Sequence, residues 1–94
     1  MPKPIHRPEY QLVRDLLRDF RVEAGVKQAE LSEALGKPQP YISAIETGHR
    51  RVDLIEVRDI CGVLGISLSN FVLALEKGIR RPVKKDRASR SRVT

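Results

Sequence analysis

Residues 28–47 constrain this chain more than any other stretch. They read Gln-Ala-Glu-Leu-Ser-Glu-Ala-Leu-Gly-Lys-Pro-Gln-Pro-Tyr-Ile-Ser-Ala-Ile-Glu-Thr. Leu31 and Leu35 are four apart, and Ile42 and Ile45 three apart, so each pair shares one face of a helix. Between the two segments stands Gly36, a residue that takes positive φ without steric cost and ends a helix abruptly. Ser32 is small enough for a second helix to approach the first closely. The pattern predicts two short helices, joined by a tight turn and packed at a steep angle.

The flanking sequence supplies the remainder of a small helical core. Pro2, Pro4 and Pro8 predict an extended arm over residues 1–8, with Pro8 near the first helical turn. A helix is predicted from Glu9 to Ala24, burying Val13, Leu16, Leu17, Phe20 and Ala24 and stopped by Gly25. The central pair is predicted at Gln28–Leu35 and from Gln39 or Pro40 to Thr47, with Gly48 as the stop. Asp53 and Glu56 then form a capping box for a fourth helix carrying Leu54, Val57, Ile60, Cys61 and Leu64. Ser67 caps a fifth, bearing Leu68, Phe71, Val72 and Leu75 and closed by Gly78. No segment alternates with period two. The expected class is all-α, a compact five-helix bundle spanning residues 9–79. Residues 80–94, basic and poor in apolar side chains, are expected to form a disordered tail.

Composition narrows the function. The chain has 94 residues, of which 40% are hydrophobic, with no tryptophan. That length suits one domain, marginal enough that dimerisation would help it. Cys61 is the only cysteine, which excludes an internal disulfide and a cysteine-rich zinc site and predicts an inert core thiol. His49 is separated from the only other histidine, His6, so no metal site is expected, and no cofactor. The N-terminus lacks the apolar segment of a signal peptide, and the longest strongly apolar run, Phe71 to Leu75, cannot span a bilayer. A cytoplasmic protein without membrane contact is expected. The net charge of +6 is concentrated after Leu75; residues 10–75 carry eight basic and nine acidic side chains. The placement of basic groups within the fold therefore matters more than the total.

Residues 17–75 resemble the Xre/Cro-type helix-turn-helix family, the DNA-binding domain of phage repressors and many small bacterial regulators. The motifs that carry the resemblance are Leu17-Arg18, Phe20-Arg21, Ala24-Gly25, Gln28-Ala29-Glu30-Leu31, Leu35-Gly36, Pro38-Gln39, Ile42-Ser43, Ile45-Glu46 with Gly48, and Leu64-Gly65-Ile66. It implies a lambda-repressor-like fold whose third helix enters the DNA major groove. Base contacts are then expected from Gln39, Pro40, Ser43 and Ala44: an amide pairs with adenine, and Pro40 and Ala44 touch thymine methyls. Phosphate contacts are expected from Gln28, Lys27, Lys37, Tyr41, His49, Arg50 and Arg51. The Tyr41 ring is expected to pack on the second helix while its hydroxyl reaches a phosphate. The resemblance also implies an ion pair of Arg21 with Glu46 that locks the reading helix to the scaffold. Lys27 and Pro38 stand where the family often has Ser or Thr caps, and neither offers a side-chain acceptor. Ala44 is a short reading residue, which shifts specificity toward DNA shape or a second half-site.

The resulting expectation is a sequence-specific double-stranded DNA-binding regulator of transcription, a repressor in its first reading, acting as a homodimer and not an enzyme. Phe71, Leu75 and Ile79 are the expected dimer surface. The alternatives are a restriction-modification controller, an antitoxin whose basic tail holds a toxin or other protein partner, and a protein adaptor that no longer binds DNA.

Overall fold

The computed structural model describes residues 7–80. The arm residues 1–6 and the tail beyond Arg80 lie outside the described residues, as do the expectations placed on them. Five helices follow in order: α1 Pro8–Glu23, α2 Gln28–Ala34, α3 Pro40–Glu46, α4 Leu54–Leu64 and α5 Leu68–Arg80. No strand occurs among the described residues. No single helix among them is long and apolar enough to cross a membrane.

Local chemistry sets the boundaries. Pro8 opens α1, where its missing N–H is not needed. Gly36 turns the chain between α2 and α3 at φ +70°. Asp53 and Glu56 form the predicted reciprocal cap: the Glu56 N–H donates to Asp53 Oδ1 at 2.8 Å and the Asp53 N–H to Glu56 Oε1 at 2.9 Å. At α5 the Asn70 N–H donates to Ser67 Oγ at 3.0 Å. One predicted stop does not act as one. Gly78 lies inside α5, and a Cβ there would meet Leu12 Cδ2 at 2.7 Å, so this glycine lets α1 and α5 approach closely.

The core gathers Leu17, Leu31, Tyr41, Ile42, Ile45, Val57, Ile60, Cys61 and Phe71, with Val13, Leu16, Phe20, Val26 and Leu35 packed against them. Cys61 is a buried thiol whose pKa is raised by desolvation. The most extensive helix pairing joins α2 to α3, and α1 backs α3, α4 and α5.

Phe71 corrects the sequence reading. Expected on a dimer surface, it is only 2% exposed in the single chain, and its ring lies 6.0 Å from that of Phe20. An aromatic ring already surrounded by its own core has no surface to offer a second copy. Leu75 and Ile79 are half-buried. The most exposed apolar side chains of α4 and α5 are Leu54 and Ile55, each 63% exposed, and Leu73 at 58%.

Replacement of Phe71 by alanine is expected to cost about 3–5 kcal/mol, a core-cavity loss, whereas Val22→Ala, at a position 60% exposed on α1, should stay within about 0.5 kcal/mol as a surface change. Urea unfolding of the two variants checks this assignment.

Candidate nucleic-acid interface

The site is built on α3 and held by one buried ion pair. Arg21, in the last turn of α1, donates from Nε to Glu46 Oε2 at 2.6 Å and from Nη2 to Glu46 Oε1 at 3.0 Å. Its Nη1 donates to the Val26 carbonyl at 2.8 Å. The two side chains are only 11% and 5% exposed. Gln28, at the start of α2, donates from Nε2 to Glu46 Oε1 at 2.8 Å. A single carboxylate at the end of α3 thus accepts three hydrogen bonds and joins three elements.

The other end of α3 is held differently. Gln39 precedes the helix in an αR conformation and makes no capping bond through its side chain. The cap comes from α2: the Ile42 N–H donates to Ser32 Oγ at 3.1 Å, and Ser32 is fully buried. The sequence signals its small size but not this bond, because donor and acceptor lie on different helices. At α2 the missing cap is replaced from within the helix. Lys27 has no side-chain acceptor, but its N–H donates to Glu30 Oε1 at 2.8 Å, half of a capping box.

Fixed at both ends, α3 presents its N-terminal face outward. Gln39 and Pro40 are exposed, and Ser43 and Ala44 are half-buried one turn further on. Gln39 and Ser43 share one face and Pro40 and Ala44 the adjacent one, four residues apart in each case. The Gln39 amide has no hydrogen-bond partner among the described side chains, and its position suits an edge-on approach to a base.

The basic residues flank this face, most of them held by local contacts. Tyr41 is buried, and two cations lie over its ring: Lys37 Nζ at 5.4 Å from the ring centroid and Arg50 Cζ at 5.0 Å. Burial raises the Tyr41 pKa, Glu56 adding to the effect, so the hydroxyl stays protonated. Arg50 also pairs with Glu56 at 2.6 Å. Arg51 lies over the Tyr10 ring at 5.6 Å. His49 Nδ1 shares a hydrogen bond of 2.8 Å with Thr47 Oγ1. Lys27 is exposed. Gln28 has one amide proton committed to Glu46, leaving the other for an outside acceptor.

Two contributors escaped the sequence. Tyr10 lies in the first turn of α1, forty-one positions from Arg51. Arg14 packs under the turn after α3, where a Cβ on Gly48 would stand 3.2 Å from its Cζ, and Gly48 itself has φ +86°. Neither belongs to a local motif; the topology alone brings them to this edge.

The chain matches the family model described as Helix-turn-helix over residues 17–71. It is also similar to a solved structure, the XRE-family like protein from Pseudomonas syringae pv. tomato str. DC3000, with 39% identity and a TM-score of 0.73. That match covers 79% of this chain and 90% of the other. No curated protein matches.

Ser32→Ala is expected to strand the Ile42 N–H and to destabilise the chain by about 1–3 kcal/mol, measured by urea unfolding. A pH effect follows from Glu56. The Asp53 N–H first, then the Arg50 guanidinium, hold its carboxyl below the ordinary value of 4.5. Its stabilising contribution is complete above that value and is lost as pH falls through the lower folded value. Glu56→Gln should therefore narrow the gap between urea midpoints at neutral and strongly acidic pH, and an unchanged gap would remove Glu56 from the acid response.

Proposed function

Because the chain belongs to the Xre-type helix-turn-helix family, whose domains are DNA-binding regulators, we propose that it acts as a sequence-specific repressor of transcription, binding duplex DNA as a homodimer. One observation carries the reading. The α3 helix is anchored at its C-terminus by the buried Arg21–Glu46 pair and at its N-terminus by Ser32, while Gln39 and Pro40 stand exposed at its outer end. A helix held this rigidly, with its polar start in solvent and cations on both flanks, suits insertion into the major groove.

In this assignment Gln39, Pro40, Ser43 and Ala44 read bases. Lys27, Gln28, Lys37, His49, Arg50 and Arg51 meet phosphates, which sets register without reading sequence. Tyr41 holds Lys37 and Arg50 in position through its ring. Self-association is assigned to Ile55 and Leu73, whose exposure on α4 and α5 supports it.

Gln39→Ala should weaken operator binding by about 1–3 kcal/mol and leave random-duplex binding nearly unchanged. A fluorescence-anisotropy comparison of the two duplexes reads this, and equal losses on both would deny the base contact. Sedimentation of the unliganded chain at micromolar concentration should show a dimer. Leu73→Glu should convert it to a folded monomer, with circular dichroism unchanged; a variant that stays dimeric would move the interface elsewhere.

A further inference from the structure

A groove of about 630 Å³ lies among α1, the segment 48–53 and the facing sides of α4 and α5, outside the base-reading surface. Its volume falls within the range of small-molecule sites, about 300–1,000 Å³. Tyr10, Val13, Val57, Phe71 and Val72 line it with apolar surface. Ile55 and Leu73, assigned above to self-association, are not among its lining.

Three guanidinium groups and two carboxylates also line the groove; Arg50 is paired with Glu56 and Asp53 caps α4, which leaves Arg14 and Arg51. Neither Arg14 nor Arg51 has a carboxylate partner among the described residues. Arg14 is wedged beneath Gly48, and its Nε is buried with no acceptor. That atom is sealed from the groove and Nη2 donates to Gln11 Oε1, so the groove offers the remaining N–H groups of Arg14 and those of Arg51, for which a negatively charged acceptor is the strongest partner. Apolar walls with unpaired cations at one side complement a molecule with a hydrocarbon body and an anionic head.

We propose that this groove binds an amphiphilic carboxylate, a fatty acid of medium chain length. Its chain lies against Val13, Val57 and Val72, and its carboxylate meets Arg14 and Arg51. Because Arg51 also belongs to the phosphate-gripping set, occupancy weakens DNA binding; this second part rests on the function proposed above, whereas the binding itself does not. By linkage, DNA then weakens fatty-acid binding by the same factor.

Titration of the full chain with sodium decanoate below its micelle concentration, followed by calorimetry and by amide NMR, tests both parts. Saturable one-to-one binding is expected, with shifts centred on Val57 and Val72. Decanol, which lacks the charge, and acetate, which lacks the chain, should each bind at least about tenfold more weakly, the scale of one charge-assisted contact. Arg51→Gln, an exposed position that leaves the core intact, should lose about the same factor. Saturating decanoate should lower duplex affinity of the parent chain but not of Arg51→Gln. The site is overturned by the absence of saturation, by equal binding of decanol, or by groove shifts that appear on raising protein concentration alone, which would seat a second copy there. Decanoate binding with unaltered duplex affinity would overturn the coupling. A chain that bound decanoate but no duplex would contradict the DNA reading and leave the site standing.

Discussion

Glu46 is the point on which this fold turns. A carboxylate buried to this degree is costly unless its charge is met and its lone pairs are filled. Here Arg21 supplies the charge and two of the hydrogen bonds, and Gln28 supplies a third. Those donors come from the end of α1 and the start of α2, so satisfying one anion fixes the relative placement of three helices. An apolar contact at the same place would tolerate rotation about the helix axis, whereas the two-pronged guanidinium contact does not. The buried pair thus contributes orientation more than net stability, and α3, only seven residues long, has little else to fix its rotation.

The opposite end of α3 shows how a sequence that lacks a local cap compensates. Pro38 removes the usual acceptor, and Pro40 removes one of the donors that would need it. Ser32 then reaches across from α2 to take the Ile42 N–H. The same short side chain that lets the helices approach therefore also supplies the bond that holds them. Around this frame the cations are arranged by aromatic rings: Tyr41 beside Lys37 and Arg50, and Tyr10 under Arg51. Such contacts restrict long side chains before any partner arrives and so lower the ordering cost of binding.

The helices were legible because their signals are local. Gly36, the Asp53–Glu56 box and Ser67 each act within four residues, and all three work as the spacing predicts. The Arg21–Glu46 pair, twenty-five positions apart, came from the family resemblance and is present. What remained hidden depends on which surfaces meet. Phe71 belongs to an apolar helix face, and periodicity cannot say whether that face is covered by the chain's own core or by another copy. Gly78 looks like a stop, yet it is a gap that Leu12 fills. Arg14 and Tyr10 reach the loop after α3 only because α1 crosses behind it. For the residues proposed to face DNA, the family resemblance named them, but the engagement of Gln28 with Glu46 and of Arg50 with Glu56 required the folded arrangement.

The central claim is that the Arg21–Glu46 pair orients the reading helix rather than merely stabilising the domain. The most direct test is a double-variant comparison, Arg21→Met with Glu46→Leu, read by urea unfolding and by the ratio of operator to random-duplex affinity. Removing one partner alone should destabilise the fold by about 3–5 kcal/mol, because the other charge is left buried and unpaired. Removing both should recover most of that loss, while the operator-to-random ratio falls about tenfold or more, equivalent to at least about 1.4 kcal/mol of discrimination. A double variant that regained stability and kept the full ratio would contradict the account, since the helix would then be oriented without the pair.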